Sequence, residues 1–220
     1  MQRVLNAYED FRTIARERAI QPPVIFGGTA VFLCTRPEHF RPYATTVAMD
    51  LDLIISPDSR QQWSESLANH FEYEDTEHFR GWSLKLRRGE VDVDLMAVDE
   101  MRIPGFAGPV ALRFDLRQFP PMEVVFGERT YLTLSPALHV AFKLLLWRGR
   151  RQGKHDPDDV TALLLCQPVS CEQLKQAIRC PPAYWPELFS ILRDRVSLLA
   201  RRHPQSAVER LYHELCEILQ

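Results

Sequence analysis

The sequence lacks an excess of either charge: 27 Lys and Arg against 29 Asp and Glu leave 220 residues at a formal net charge of -2. A nucleic-acid partner would therefore have to be met by a local basic patch, because the whole chain exerts no pull on a polyanion. Apolar runs of membrane-spanning length are missing, and Met1-Gln2-Arg3-Val4-Leu5 leads into charged residues instead of a hydrophobic leader. The five cysteines, Cys34, Cys166, Cys171, Cys180 and Cys216, show no C-x-x-C pairing, which speaks against a zinc knuckle and a secreted disulfide framework. The expectation is a cytoplasmic protein with reduced thiols and no membrane partner.

With 45% hydrophobic and 25% charged residues, the chain has what a globular fold needs. Its length suits one substantial domain or a domain with a helical appendage. The stretch that demands explanation is Met49-Asp50-Leu51-Asp52-Leu53-Ile54-Ile55, an apolar run closed by Ser56-Pro57 that reads as a strand. Residues two apart in a strand share a face, so Asp50 and Asp52 project together. Two like charges side by side in a buried strand are costly without a counter-charge, and a divalent cation is the simplest one. A polar edge strand accounts for the alternation as well.

Two other segments bear on that choice. Upstream, strand-like Val24-Ile25-Phe26 runs into Gly27-Gly28-Thr29-Ala30 and then apolar Val31-Phe32-Leu33. A strand, a glycine pair and a helix start in that order offer free backbone N–H groups where a phosphate can sit, although a glycine pair also makes a plain tight turn. Downstream, Gly81 to Leu86 and Val91 to Met96 flank Arg87-Arg88-Gly89-Glu90 and predict a β-hairpin. Its second strand, Glu90-Val91-Asp92-Val93-Asp94-Leu95-Met96, repeats the alternation and can deliver a third carboxylate from Asp92 or Asp94.

Gly-Gly at a helix start, a strand with alternating acids, and a third acid on a later strand resemble the nucleotidyltransferase superfamily with the DNA polymerase β-like fold. The likeness runs over roughly the first two thirds of the chain. It implies an α+β fold: a nucleotidyltransferase-like mixed β-sheet flanked by helices, then a C-terminal helical region. The expected division is a catalytic domain over 1–134 and a helical region over 135–220. In the family the third acid stands directly before two apolar residues, which favours Asp94 over Asp92.

Later segments resemble the minimal and abortive-infection (AbiEii-type) toxin branch of that superfamily. Lys143 and Arg148 match its Lys-x4-Arg spacing, where the lysine resembles a ligand of the triphosphate; a solvated helix face explains them too. Asp156 and Asp159, with Lys154 ahead of them, resemble its Lys-Asp-x-x-Asp element, interrupted here by His155. Capping of a helix opening at Asp156-Pro157 explains both acids as well. Residues 29–49 separate the glycines from the acidic strand, a longer gap than compact members show.

The remaining chain is organisational. Residues 3–20 predict an amphipathic helix ended by Pro22-Pro23, residues 36–48 a loop, and Ser56-Pro57-Asp58 the cap of a helix to about His70. Residues 101–118 look irregular, a second hairpin spans 122–134, and a helix from Ser135-Pro136 reaches Gly149. Gly149 to His155 makes a short basic loop, and helices follow to Leu219. Arg193, Arg195, Arg201 and Arg202 there suit a solvated helix face better than RNA contact.

What the resemblance implies is metal-dependent transfer of NMP from an NTP such as ATP to a hydroxyl acceptor. Asp50, Asp52 and Asp94 would hold a pair of Mg²⁺ ions, Gly27, Gly28 and Thr29 would seat phosphates through backbone N–H groups, and Lys143, Arg148 and Asp156 would complete the nucleotide site. The acceptor could be a tRNA 3′ end, a cognate antitoxin or other protein side chain, or a small molecule. Rival readings are a catalytically silent nucleotide- or partner-binding module on the same fold, and a kinase-like protein moving the γ-phosphate.

Overall fold

The computed structural model describes residues 1–35, 50–67, 72–78, 81–106, 108–149 and 154–219. The expected loop at 36–48, the end of the helix expected to reach His70, and most of the basic stretch at 149–155 fall outside these residues. Within them the chain gathers into two compact units. One draws on Met1–Leu33, Val47–Asp99 and Asp115–Leu134, the other on Glu100–Phe114 and Ser135–Gln220.

The first unit is built on a seven-stranded sheet ordered β3-β4-β5-β2-β1-β9-β8. Its strands are β1 (Val24–Phe26), β2 (Asp50–Ile55), β3 (Glu72–His78), β4 (Gly81–Arg88), β5 (Val91–Ala97), β8 (Met122–Phe126) and β9 (Arg129–Thr133). Pairing is mixed: β2 runs parallel to β5 and antiparallel to β1, and β1 runs parallel to β9. The hairpin of β4 and β5 turns at Gly89, whose φ of 61° is one that glycine adopts freely.

Helix α1 (Gln2–Arg18) buries Val4, Leu5, Tyr8, Phe11, Ile14 and Ala15, the stripe its 3.6-residue period lays along one side. Ala19 ends it in the left-handed region, ahead of the prolines. Phe11 and the fully buried Trp63 of α3 (Arg60–Leu67) meet with ring centroids 5.9 Å apart, over Ile25, Leu51, Leu53, Val93 and Leu95 of the sheet. Burying one such side chain contributes about 1.5–3 kcal/mol. Burial pushes the Tyr8 phenol up to about 12, and its hydroxyl donates to the Pro23 carbonyl at 2.9 Å. One face of the sheet is thereby committed to the core, and pleat alternation sends Asp50, Asp52, Asp92 and Asp94 to the other. The start predicted at Ser56 opens with a 3-10 turn over Pro57–Ser59, and the Ser56 hydroxyl makes no capping bond.

The second unit is mainly helical. A three-stranded sheet of β6 (Glu100–Arg102), β7 (Ala111–Arg113) and β10 (Ile178–Arg179) lies in it, where an irregular segment was expected over 101–118. Its helices are α4 (Pro136–Leu146), α5 (Asp156–Cys166), α6 (Cys171–Ala177), α7 (Trp185–Arg202) and α8 (Ser206–Ile218). Helix α6 carries a capping box, Ser170 and Gln173 each meeting the other's backbone N–H. Helix α4 stops at Leu146, short of the predicted Gly149, because Trp147 turns left-handed at φ 51°. No helix among the described residues is long and apolar enough to cross a membrane.

Candidate active site

Strand β2 leaves Asp50 and Asp52 half-buried on either side of the fully buried Leu51. Its parallel register with β5 sets Asp50 opposite Asp92 and Asp52 opposite Asp94. Neighbouring strands lie about 4.8 Å apart, so these carboxylates form a block of like charge on one face. The block is not uniform. Asp92 is mostly exposed and accepts from Arg87 Nε at 3.1 Å, an ion pair set up by the hairpin register that faces Arg87 with Asp92. Asp94 is half-buried, and its carboxylate makes no hydrogen bond or ion pair among the described residues.

Asp50 Oδ1 is buried with no hydrogen-bond partner among the described residues. A buried carboxylate oxygen without a donor costs about 1–3 kcal/mol or more, which marks a place where a cation is expected. Hard divalent cations take such oxygens, and Asp50, Asp52 and Asp94 offer donors of the chemical type Mg²⁺ prefers. Among the described residues no three His, Cys, Asp or Glu side chains are gathered closely enough to hold an ion as they stand.

The glycine turn lies against this row. Antiparallel pairing puts Phe26 opposite Asp52, and Gly27 follows at φ 68° as the first residue of α2 (Gly27–Cys34). A Cβ at Gly27 would fall 2.0 Å from Asp52 Oδ2, so the carboxylate occupies the space a side chain would need. Thr29 is buried, and its hydroxyl donates to the Asp50 carbonyl at 3.2 Å. Gly27, Gly28 and Thr29 are thus brought to the acids at a helix start, where the first backbone N–H groups have no partner within the helix.

Lys143, Arg148 and Asp156 come together in the second unit. Lys143 Nζ, on the buried side of α4, lies 3.0 Å from Asp156 Oδ1 and 2.7 Å from Asp159 Oδ2 on α5. Arg148 Nε lies 2.9 Å from Asp156 Oδ2, and the Arg148 backbone N–H donates to the same oxygen at 2.8 Å. Burial alone would depress the Lys143 ammonium, yet Asp159 and Asp156 outweigh it and hold its pKa above the ordinary value. Burial would raise Asp156, but Lys143 and Arg148 prevail and hold it low; for Asp159 burial prevails and raises it.

Three sequence expectations are corrected here. Arg148 lies beyond the end of α4, and the N-cap of α5 is His155, not Asp156. The Asp156 carboxylate turns to the buried cations because they satisfy both its oxygens. Arg195, read from sequence on a solvated face, is also placed otherwise. Its guanidinium donates to the carbonyls of Leu144 and, at 3.0 Å, Leu145, and lies over the rings of Phe106 and Trp147. It thus closes the C-terminal end of α4. The Arg87–Asp92 pair was legible in the hairpin spacing around Gly89, but no local signal pointed to Arg195.

No protein-family model matches the chain, and no curated protein matches it. Solved structures do. The antibiotic-resistance factor ANT(2″)-Ia superposes over 92% of this chain and 97% of its own at a TM-score of 0.52 and 15% identity. An antigenic nucleotidyltransferase-like protein from Paracoccidioides brasiliensis covers 86% of this chain and 84% of its own at a TM-score of 0.46 and 19% identity. At 15% identity the first likeness is one of architecture. The chain has an α+β, nucleotidyltransferase-like fold, a mixed sheet flanked by helices and followed by C-terminal helices.

Proposed function

We propose that the chain is a nucleotidyltransferase that joins the NMP of an NTP to a hydroxyl acceptor. The observation that carries the proposal is the pairing of Asp52 with Asp94 beside Asp50, whose buried oxygen has no partner among the described residues, with the Gly27 turn against the Asp52 carboxylate. The acceptor oxygen attacks the α-phosphorus, the bond from the α-phosphorus to the bridging oxygen breaks, and pyrophosphate leaves with that electron pair. Asp94, whose carboxylate meets no cation among the described residues, takes the acceptor's proton. Asp50, Asp52 and Asp94 would hold Mg²⁺, which supplies charge neutralisation on the triphosphate and a more acidic acceptor hydroxyl. Backbone N–H groups of Gly27, Gly28 and Thr29 receive the phosphates.

The toxin-branch reading is supported by the ion cluster, since the Lys143–Arg148 element and the Asp156–Asp159 element meet in it. On that reading a tRNA 3′ end is the first acceptor to test, with a cognate antitoxin as partner. ANT(2″)-Ia is an antibiotic-resistance factor, so an antibiotic hydroxyl belongs among the acceptors tried. Lys143 is saturated by two carboxylates, so its part in nucleotide binding would be indirect, through the placing of Asp156 and Arg148.

The test offers NTPs labelled at the α- or the γ-phosphate, with Mg²⁺, to tRNA, total protein and small hydroxyl compounds. Label is expected to pass from the α position alone and to vanish with Asp52→Asn. Transfer of γ label, or undiminished transfer by the Asp52 variant, overturns the assignment. A silent binding module would bind NTP and transfer neither label.

A further inference from the structure

We infer that Thr29 is a positioning residue for the acidic strand: its hydroxyl, with the empty side-chain space at Gly27, sets where the Asp50 and Asp52 carboxylates stand. The inference rests on the metal-binding reading of those acids and assigns the Thr29 side chain a role apart from its backbone N–H.

The argument starts from where β1 stops. Phe26 is the last residue of β1 and faces Asp52; had the strand run on, position 28 would face Asp50. Instead the chain turns into α2 at Gly27, so the ladder that would brace β2 at Asp50 is missing on that side. The Thr29 hydroxyl takes its place, donating to the Asp50 carbonyl at 3.2 Å from a site only 1% exposed. Water does not compete for a donor buried so completely, and a strand carbonyl left without one is costly.

Gly27 acts on the neighbouring acid by absence. A Cβ there would meet Asp52 Oδ2 at 2.0 Å and Cγ at 2.9 Å, so any side chain would push the carboxylate out of its place. One turn therefore grips the backbone of Asp50 and makes room for the head group of Asp52. Ligand carboxylates held in this way lose metal affinity when the group behind them is removed, typically about 10–100-fold.

The test measures Mn²⁺ binding to the full chain without nucleotide, then kcat and KM for NTP, for wild type, Thr29→Val, Thr29→Ser and Gly27→Ala. Thr29→Val removes the hydroxyl but keeps the backbone N–H and nearly the same shape. It is expected to weaken Mn²⁺ about tenfold or more and to lower kcat, with KM for NTP within about twofold of wild type. Thr29→Ser restores both, and Gly27→Ala weakens Mn²⁺ at least as much as Thr29→Val. Wild-type Mn²⁺ affinity in Thr29→Val overturns the inference, including the case where only KM for NTP rises, which would make the hydroxyl a phosphate contact. Should Thr29→Val fail to fold, wild-type Mn²⁺ affinity in Gly27→Ala overturns it equally. If the wild type binds no Mn²⁺ at all, the metal reading of the site falls, and this inference with it.

Discussion

Asp156 is fully buried, yet Lys143 at 3.0 Å and Arg148 at 2.9 Å take both its oxygens, whereas Asp50 keeps a buried oxygen that nothing in the described chain meets. The two regions treat the same chemical group in opposite ways. In the helical unit, positive and negative side chains are matched and enclosed, so the charges have already found their counter-ions and hold α4 to α5. On the sheet of the first unit, acids stand opposite acids across the β2–β5 ladder, and Arg87 pairs with the outermost, Asp92. Charge that the fold satisfies is architecture; charge that it gathers and leaves open asks for a ligand.

The sharpest way to break this contrast is to neutralise one acid in each region. Asp52→Asn is expected to abolish nucleotidyl transfer while leaving the melting temperature unchanged or raised, because it relieves repulsion. A large loss of stability would mean that Asp52 is structural after all. Lys143→Met should do the reverse and cost about 3–5 kcal/mol in chemical denaturation, because it leaves buried Asp159 without its cation and Asp156 with Arg148 alone. A loss below about 1 kcal/mol would show that the cluster is not closed in solution.

Acid sharpens the comparison further. The folded pKa of Asp156 is held below its ordinary value, so its stabilisation is complete above about pH 4 and is lost as the pH falls through the depressed value. Asp159 is raised, so it takes a proton in the folded chain first and contributes in the opposite sense. The stability difference between wild type and Asp156→Asn should therefore shrink below about pH 4, and a difference constant from pH 7 to 3 would contradict the buried ion pairing. The smallest effect belongs to Asp92→Asn. It breaks an exposed pair worth about 0–1 kcal/mol and should leave transfer within about twofold of wild type, while Asp94→Asn loses it. Equal losses in the two variants would remove the distinction between these neighbours.

Local pattern carried much of the fold. The stripe of α1, the alternation of β2 and β5, both hairpins and the capping box at Ser170 are each written within a few residues, where backbone period and capping chemistry act. Strand β3, Glu72–His78, left no such trace. Its run of acids has low strand propensity, and pairing with β4 alone makes it a strand. Strands β6 and β7 were missed for a similar reason: three residues each are too few to show a period.

Taken alone, the amino-acid order determined that Asp50 and Asp52 share a face, that a glycine turn precedes them, and that a second acidic strand follows. Those statements depend on the two-residue repeat of an extended chain and on the backbone freedom of glycine. Tertiary structure alone decided that Asp94 stands opposite Asp52 while Asp92 is drawn to Arg87, that Asp52 rests in the space beside Gly27, and that Lys143 is spent on Asp156 and Asp159. Register between strands, and the burial that makes one ion pair close and leaves another acid open, arise from contacts between segments distant in sequence, and no local period encodes them.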